Sequence, residues 1–335
     1  MAELTNKKQT TIEELEESLG YKLPTFIKES ESEFFERVGE IAELVLSQKK
    51  RAVFISGPTS SGKTTFTDRL TRILEKAGAK AAYLSLDDYY VVKDLTFDED
   101  GRPDYETKDV LDLKRACADI KSVLDNQTVI PPKFDFKTRE SVVRDASEAI
   151  TLSDDGILIV EGLHGLSMEV AGSVPSELVT KIFIAPYGDV YADSRLFDSN
   201  DIRLLRRIVR DYHHRNATAL TTVDYWPMIE KSEEAYYNDY LARADYHINS
   251  FLRYEVLVTA PMALDIIEES LRGVADGTIP KSIFMEKSNQ DKCFADLTKA
   301  LKRCEKLKEC LKQVPIVDAT RVPSDSILNE FIGNN

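Results

Sequence analysis

The sequence predicts an α/β fold, built as a mostly parallel, doubly wound sheet with helices on both faces. Short apolar runs of strand length alternate along the chain with segments of helical periodicity, which is typical of parallel sheets. A glycine-rich loop follows the first of these runs and leads into a helical pattern. The 335 residues are 42% hydrophobic and 30% charged, which suits a soluble chain with a large core. Ligands of such sheets bind at the carboxyl ends of the strands, where this loop lies.

The first predicted helix precedes the sheet. Residues before about Leu23 are rich in Glu, Lys and Thr, and they predict a poorly ordered or peripheral arm. In residues 31–48 apolar side chains recur at helical spacing, which predicts an amphipathic helix leading into the first strand. The apolar positions are Phe34, Val38, Ile41 and Val45. Residues 1–48 are therefore assigned to an N-terminal arm and helix.

Five apolar runs predict the strands of the sheet. They are residues 52–56, 81–86, 157–160, 181–185 and 246–249. Helical patterns lie between them, and we assign residues 49–260 to this core. Residues 261–335 are assigned to a C-terminal helical extension. Within it, residues 291–312 form a Lys-rich helical pattern, whose basic side chains indicate a solvated face or, alternatively, a docking surface.

The glycine-rich loop, residues 57–64, fits the phosphate-binding pattern G-x-x-x-x-G-K-[ST]. Gly57 and Gly62 let the backbone turn where a side chain would block it, and the N–H groups between them surround phosphate oxygens. Lys63 is expected to reach the β/γ-phosphates, and the Thr64 hydroxyl to bind Mg²⁺. The order of strand, loop and helix supports this interpretation over a chance glycine-rich turn. The predicted nucleotide contacts are Gly57, Thr59, Ser60, Ser61, Gly62, Lys63, Thr64 and Thr65.

Carboxylates stand at the ends of two predicted strands. Asp87 follows the second strand and is suited to accept a proton from an acceptor hydroxyl, with Asp88 as the alternative base and a solvated loop acid as the alternative role. Glu161 follows the third strand and can hold or orient the hydration shell of Mg²⁺, unless it only caps a helix. The base-reading pattern N/T-K-x-D of GTPases is not met, since residues 107–110 read Thr-Lys-Asp-Val.

A cluster of arginines lies in residues 201–210. On a helix, its four arginines form one stripe, and apolar side chains form the neighbouring stripe. The stripe consists of Arg203, Arg206, Arg207 and Arg210. Four like charges repel one another, so a chain of net charge −14 that keeps them together is expected to bind an anion there. Guanidinium groups that close over a transferring phosphoryl group would fill that role. The alternative is a solvated basic face with ion pairs to Asp201 and Asp211.

Charge and composition disfavour several classes of partner and location. The net charge of −14 opposes nonspecific binding to nucleic acid. The four cysteines show no C-x-x-C spacing and are typical of thiols in a reducing compartment. No apolar run approaches the ~20 residues of a membrane helix, and the N-terminus has no apolar signal core. A cytoplasmic protein is therefore expected.

Taken in order, these motifs resemble those of the uridine kinase family. The resembling segments are residues 57–64, 85–90, 105–106, 132–136, 161–163 and 203–207. Further segments resemble a uridine-kinase-like subgroup that often follows a TGS domain. They are residues 226–227, 244–250 and 326–333. The resemblance covers most of the chain from about Ser30 onward, and the number and order of its motifs make it more specific than the loop alone.

The resemblance implies a P-loop kinase with a helical lid and helical N- and C-terminal extensions, which uses ATP and Mg²⁺. The implied catalytic residues are Asp87, Lys63, Arg203 and Arg206, and the implied metal environment is Thr64, Asp87 and Glu161. Nucleotide contacts would extend to Arg210 and Arg215. The implied acceptor contacts are Tyr90, Tyr105, Glu106, Phe134, Phe136 and Arg139, with Glu106 accepting hydrogen bonds from ribose hydroxyls.

Three positions depart from the family pattern. Phe134 replaces a base-contacting Tyr, and Arg139 replaces a base-contacting His, so pyrimidine recognition is expected to differ. Ala217 replaces an arginine of the lid and leaves Arg215 as the nearest lid cation. The change at Ala217 is expected to affect the rate of transfer rather than the class of reaction.

The leading functional hypothesis is an ATP:nucleoside 5′-phosphotransferase that acts on uridine or cytidine, a small-molecule acceptor. One alternative keeps the chemistry and changes the acceptor to another hydroxylated metabolite, as in phosphoribulokinase or pantothenate kinase. The other is a nucleotide-binding regulator without catalysis. The intact set of Lys63, Thr64, Asp87 and Glu161 argues against the regulator. A homo-oligomer is left open.

Overall fold

The computed structural model describes residues 7–91, 95–135 and 140–333. Its strands are β1 (Lys8–Thr11), β2 (Ala52–Ser56), β3 (Ala81–Ser85), β4 (Lys133–Asp135), β5 (Glu140–Val142), β6 (Ile157–Glu161), β7 (Val179–Ala185), β8 (Gly188–Tyr191), β9 (Arg195–Phe197) and β10 (Tyr246–Asn249). Its α-helices are α1 (Ile12–Glu17), α2 (Leu23–Ser47), α3 (Lys63–Lys76), α4 (Leu113–Leu124), α5 (Met168–Ala171), α6 (Ser199–Arg215), α7 (Ala219–Glu234), α8 (Tyr237–Arg243), α9 (Glu255–Ala275), α10 (Leu297–Leu311) and α11 (Asn329–Ile332). Phe136 and Arg139, which were predicted to contact the acceptor, lie outside the described residues. Within the described ranges, none of the helices combines the length and the apolar composition that a membrane crossing requires.

Five parallel strands form the central sheet, in the order β10-β7-β2-β6-β3. They correspond to the five predicted apolar runs, so the predicted α/β fold with a parallel sheet is confirmed. β2 lies in the middle of the sheet, and all of its residues are buried. β6 and β3 lie on one side of β2, whereas β7 and β10 lie on the other. The loop after β2 therefore starts at the switch point of the sheet, where such folds bind ligands.

Alternate residues of β2 pack into two separate layers. Val53 and Ile55 belong to the larger core, which the sheet shares with α2, α3, α6, α7 and α9. Ala52 and Phe54 belong to the smaller core on the opposite face, which the sheet shares with α4 and α8. Helices thus cover both faces of the sheet, as parallel strands with buried faces require.

The segment before Leu23 was predicted to be a poorly ordered or peripheral arm, and the structure contradicts the first of these alternatives. From residue 7 onward it is structured: β1 pairs in parallel with β8, and Leu15 of α1 is fully buried. A capping box formed by Thr11 and Glu14 starts α1. α2 begins at Leu23, well before residue 31. A four-residue strand of polar residues carries no periodic signal of its own, because its conformation depends on pairing with a distant strand.

The C-terminal extension packs back onto the core. α10 begins at Leu297, later than predicted, with Asp296 as its N-cap. Its apolar side lies against α7 and α9, while Lys302 and Lys306 are exposed, which agrees with a solvated basic face. Beyond it, residues 326–332 are buried except for the half-buried Glu330, and they return to the loop after β2.

Candidate active site

A cavity of about 1160 Å³ lies at the carboxyl ends of the central strands. The glycine-rich loop, the ends of β3 and β6 and the helix α6 each contribute to its lining. From the predicted phosphate and metal residues it brings together Thr59, Ser60, Lys63, Thr64, Asp87, Glu161, Arg210 and Arg215. From the predicted acceptor residues it brings together Tyr90, Tyr105, Glu106 and Phe134. The two predicted halves of the site therefore share one space.

The loop between β2 and α3 requires glycine at two positions. A Cβ on Gly57 would lie 2.0 Å from the carbonyl oxygen of Ile184 in the adjacent strand β7. Gly62 has a φ of +87°, in the left-handed region, and a Cβ there would lie 2.2 Å from Cδ1 of Ile327. A side chain at either position would displace the loop, so its path depends on both glycines.

Donor groups of the loop are available for an anion. Lys63 Nζ donates to the carbonyl oxygens of Gly57 (3.0 Å) and Pro58 (3.1 Å), which keeps the ammonium group over the loop. The buried hydroxyls of Ser60 and Ser61 have no hydrogen-bond partner within the described residues. Because unpaired buried donors are costly, these hydroxyls indicate a ligand with acceptor oxygens, such as a phosphate.

Two carboxylates lie close to Lys63. Asp87 lies in the turn after β3, and Glu161 ends β6, where it accepts a hydrogen bond of 3.0 Å from Tyr83 Oη. Burial raises the pKa of Glu161 to about 7; Lys63 opposes this shift, and Asp87 adds to it. The surrounding protein also excludes water from Asp87 and raises its pKa, again against the effect of Lys63. A cation between the two carboxylates would relieve their repulsion.

The donor set fits Mg²⁺. Thr64, Asp87 and Glu161 offer the hard oxygen ligands that Mg²⁺ prefers, and this ion takes only one or two carboxylates when substrate phosphates and water supply the rest. In the part of the chain that the structure describes, no three His, Cys, Asp or Glu side chains are grouped as a metal site of their own. Two carboxylates and one hydroxyl leave coordination positions of Mg²⁺ for phosphate oxygens and water.

Asp88 has a different environment from Asp87. Its carboxylate pairs with Arg144 at 2.5 Å and accepts a hydrogen bond of 3.3 Å from the backbone N–H of Phe134. These contacts hold β4 beside the turn that carries Asp87. Asp87 lines the cavity with Lys63 and Asp88 does not, so the geometry favours Asp87 as the base.

Aromatic rings line the other half of the cavity. The rings of Tyr90 and Phe134 lie 5.3 Å apart, and Tyr90 Oη donates to the carbonyl oxygen of Tyr105 at 3.1 Å. Tyr225 and Phe284, which no sequence motif marks, stack with their centroids 4.4 Å apart and extend this lining. They come from segments far along the chain, so only the tertiary fold places them here.

Glu106 is held by His164, a residue that the sequence patterns did not single out. His164 Nε2 lies 2.8 Å from the carbonyl oxygen of Glu106, and its Nδ1 lies 2.8 Å from Tyr240 Oη. Burial lowers the pKa of His164 to about 4, so the imidazole is neutral near pH 7. The Glu106 carboxylate itself lies 3.6 Å from Arg207. The position of His164, directly after the strand-end motif of residues 161–163, is the signal that could have revealed it.

We expect His164 to make the stability of the protein depend on pH. Its pKa is about 4 in the folded protein and 6.5 ordinarily, so the unfolded chain binds the proton more readily. The stabilisation by neutral His164 is complete above pH 6.5 and is lost as the pH falls from 6.5 to 4, by about 3 kcal/mol in all. His164→Gln should flatten this part of the pH dependence, measured by urea unfolding from pH 4 to 8. Equal slopes in the two proteins would contradict the assignment.

Two arginines of α6 do not lie where they were predicted to act. Arg203 forms a bidentate ion pair with Glu233 of α7 (2.7 and 2.8 Å), and Arg206 pairs with Glu255 of α9 (2.6 Å). Both arginines are buried, and neither lines the cavity. The prediction that Arg203 and Arg206 contact the transferred phosphate therefore does not agree with their positions. Buried glutamates neutralise their charges, which also relieves the repulsion along the stripe.

Three other arginines line the cavity and share one carboxylate. Asp211 is fully buried and lies 3.1 Å from Arg207, 3.2 Å from Arg210 and 3.3 Å from Arg215. Burial alone would raise the pKa of Asp211, but Arg215, Arg207 and Arg210 outweigh it and lower the pKa to about 2. Arg207 also donates to Thr59 Oγ1 of the loop at 2.7 Å. Asp211 thus orients three guanidinium groups at the phosphate side of the cavity, where they can bind phosphate oxygens.

Comparison with known proteins identifies a family for this chain. The sequence profile of the Phosphoribulokinase / Uridine kinase family matches residues 53–256, which is more than half of the chain. A protein named uridine kinase from Macrococcus caseolyticus (strain JCSC5402) is 28% identical over 179 residues, which cover 53% of this chain and 77% of that protein. A second uridine kinase, from Leuconostoc citreum (strain KM20), is 26% identical over 181 residues, which cover 53% of this chain and 76% of that protein. A solved structure described as a possible uridine kinase from Bacillus stearothermophilus has 17% identity and a TM-score of 0.42 over 64% of this chain and 98% of that one. This chain belongs to the phosphoribulokinase/uridine kinase family.

Proposed function

We propose that the chain is an ATP-dependent phosphotransferase that phosphorylates a hydroxyl group of a small molecule, with a nucleoside as the preferred acceptor. The observation that carries this proposal is the shared cavity. In it, the phosphate-binding loop and the carboxylates Asp87 and Glu161 adjoin an aromatic region that contains Glu106. The uridine kinases that the chain resembles support a nucleoside as the class of acceptor.

In the proposed reaction the acceptor hydroxyl oxygen attacks the γ-phosphorus atom, and the bond from that atom to the β–γ bridging oxygen breaks. The hydroxyl proton passes to Asp87, and ADP leaves with the bridging oxygen. The raised pKa of Asp87 increases its affinity for that proton, which suits a general base. Lys63 stabilises negative charge on the transferred group.

The phosphates would be held from two sides. Thr64, Asp87 and Glu161 would bind Mg²⁺, which neutralises charge on the β- and γ-phosphates when it is bound. Arg207 and Arg210 would contact phosphate oxygens from the α6 side, where both line the cavity. Arg207 and Arg210 thus take the place of Arg203 and Arg206, the two arginines of the same helix to which the sequence suggested a catalytic role.

Glu106 is the residue that supports a nucleoside as the acceptor. A carboxylate can accept hydrogen bonds from two vicinal hydroxyl groups, and the rings of Tyr90 and Phe134 offer apolar faces to a base. A missing hydroxyl would leave the carboxylate partly unpaired, so a ribonucleoside should be preferred over its 2′-deoxy form. A screen with ATP and Mg²⁺ over nucleosides, sugar phosphates and pantothenate identifies the acceptor class. Turnover of an acceptor other than a nucleoside, and of no nucleoside, would overturn the nucleoside assignment and leave the kinase assignment intact.

Lys63→Ala tests whether this loop is the site of transfer. The ammonium group is the main cation of the loop, so its loss should weaken ATP binding and lower kcat by about 10²-fold. The measurement is steady-state phosphotransfer to the best acceptor of the screen, together with calorimetric binding of ATP. Lys76→Ala, at the exposed end of the same helix, is the matched control and should keep normal activity. Normal turnover by Lys63→Ala would show that the chemistry takes place elsewhere.

A further inference from the structure

The C-terminal segment, residues 326–333, is part of the wall of the phosphate site. Ile327 packs directly on Gly62, where an added Cβ would lie 2.2 Å from Cδ1 of Ile327. Phe331 is fully buried, and the guanidinium group of Arg206 lies 5.0 Å from the centre of its ring. Arg206 in turn donates to the carbonyl oxygen of Ser60 in the loop at 3.3 Å. The segment is therefore fixed to the loop both directly and through α6.

One side chain of this segment contacts donors of the loop helix. Glu330 Oε2 accepts a hydrogen bond from the backbone N–H of Thr65 (3.3 Å) and another from its hydroxyl (3.0 Å). Thr65 lies in the first turn of α3, a helix of 14 residues, where backbone N–H groups have no partner within the helix. Such groups at the start of a helix after a glycine-rich loop are those that bind phosphate oxygens. Glu330 also lines the cavity itself.

We infer that Glu330 is a further residue of the nucleotide site, which occupies the position of a phosphate oxygen on Thr65 and must release Thr65 when a nucleotide binds. It thereby lowers the affinity for the nucleotide. This inference rests on the proposed function, because it takes the anion at the loop to be a nucleoside di- or triphosphate. Two acceptors of like charge cannot share the two donors of Thr65, so binding of the nucleotide phosphate includes the loss of both contacts to Glu330.

The release requires the movement of one side chain only. Glu330 is half-buried, whereas Ile327, Leu328 and Phe331 on either side of it are fully buried. The segment can thus stay in place while the carboxylate turns away from Thr65. The charge of Glu330 stabilises the positive charge of Arg210 on the facing helix α6, so Arg210 is a cation in the neighbourhood of the released carboxylate.

A role as a metal ligand is the competing explanation. Glu330 lies near Glu161, where its charge adds, after burial and Asp87, to the raised pKa of that carboxyl. However, the carboxylate of Glu330 accepts hydrogen bonds from both donors of Thr65, and these donors are groups that bind anions rather than cations.

Glu330→Gln tests the inference, because it keeps the shape of the side chain and removes its charge. The neutral amide binds the donors of Thr65 less strongly than the carboxylate does, so a nucleotide displaces it more easily. The affinity for ADP should therefore rise roughly fivefold. The measurement is titration calorimetry of the full chain with ADP, once with EDTA and once with Mg²⁺. Glu330→Ala, which removes the contact altogether, should tighten binding at least as much. Thermal unfolding of each variant verifies that the segment remains folded.

Asp325→Asn is the matched control. It makes the same change in net charge at the residue directly before the segment, on an exposed side chain 3.8 Å from Arg69, and should leave the Kd for ADP unchanged. Equal or weaker binding of ADP by Glu330→Gln would overturn the inference, and weaker binding only with Mg²⁺ would identify Glu330 as a metal ligand instead. Failure of the unsubstituted protein to bind ADP and ATP would overturn the proposed function as well, so the two failures are distinguishable.

Discussion

Asp87→Asn is expected to lower kcat by roughly 10²–10⁴-fold and to leave the affinity for ATP nearly unchanged. The substitution keeps the size of the side chain and removes its ability to accept a proton at neutral pH. Asp87 lines the cavity together with Lys63 and Glu161, and its surroundings raise its pKa, which is the environment of a general base. Without that base, the attacking hydroxyl retains its proton as the bond to phosphorus forms.

The measurement separates chemistry from binding. kcat is taken at saturating Mg²⁺ and acceptor, and the Kd for ATP is taken without Mg²⁺, so that loss of a metal ligand does not enter. Asp88→Asn is the matched control, since the Asp88 carboxylate is bound to Arg144 and to the backbone of Phe134. A normal kcat for Asp87→Asn together with a large loss for Asp88→Asn would exchange the roles of the two acids.

Arg206→Leu is expected to lower the free energy of unfolding by about 3–5 kcal/mol. The side chains of Arg206 and Glu255 are both 0% exposed, and their groups approach to 2.6 Å. Removal of the guanidinium group leaves Glu255 as a buried charge without its main partner, which is more costly than the loss of the pair as a whole. The carbonyl oxygen of Ser250, which accepts from Arg206 at 2.7 Å, also loses its donor.

Urea unfolding at pH 7 measures this loss, and a double variant tests its cause. Arg206→Leu combined with Glu255→Leu should recover part of the stability, because it removes the unpaired charge as well. Arg206→Leu with normal stability but without phosphotransfer would instead restore the catalytic role that the sequence suggested. The same comparison can be made for Arg203 and Glu233, which form the other buried pair of α6.

The features that follow from local pattern were predictable from the sequence. The five strands of the central sheet were marked by apolar runs. The inner strands β2 and β6 are buried at every position and are apolar at nearly every one, whereas the edge strands β3 and β10 are buried only in part. The phosphate loop was marked by its two glycines and by Lys63, since backbone path and charge there depend on those residue types. Asp87 and Glu161 were found because the carboxyl ends of parallel strands meet at one edge, so two distant sequence positions became neighbours by topology alone.

Features that depend on partners far along the chain were decided by the tertiary structure. Helical spacing alone does not distinguish the arginines of the α6 stripe. In the structure, however, Arg206 is paired with Glu255, whereas Arg207 lines the cavity. The contact of Glu330 with Thr65 joins residues 265 positions apart, and β1 is ordered by pairing with β8. Helical periodicity predicts which side of a helix is buried, but the role of a buried charged residue depends on the group that neutralises its charge. The tertiary fold supplies that group from elements far away in the sequence, so no local pattern predicts it.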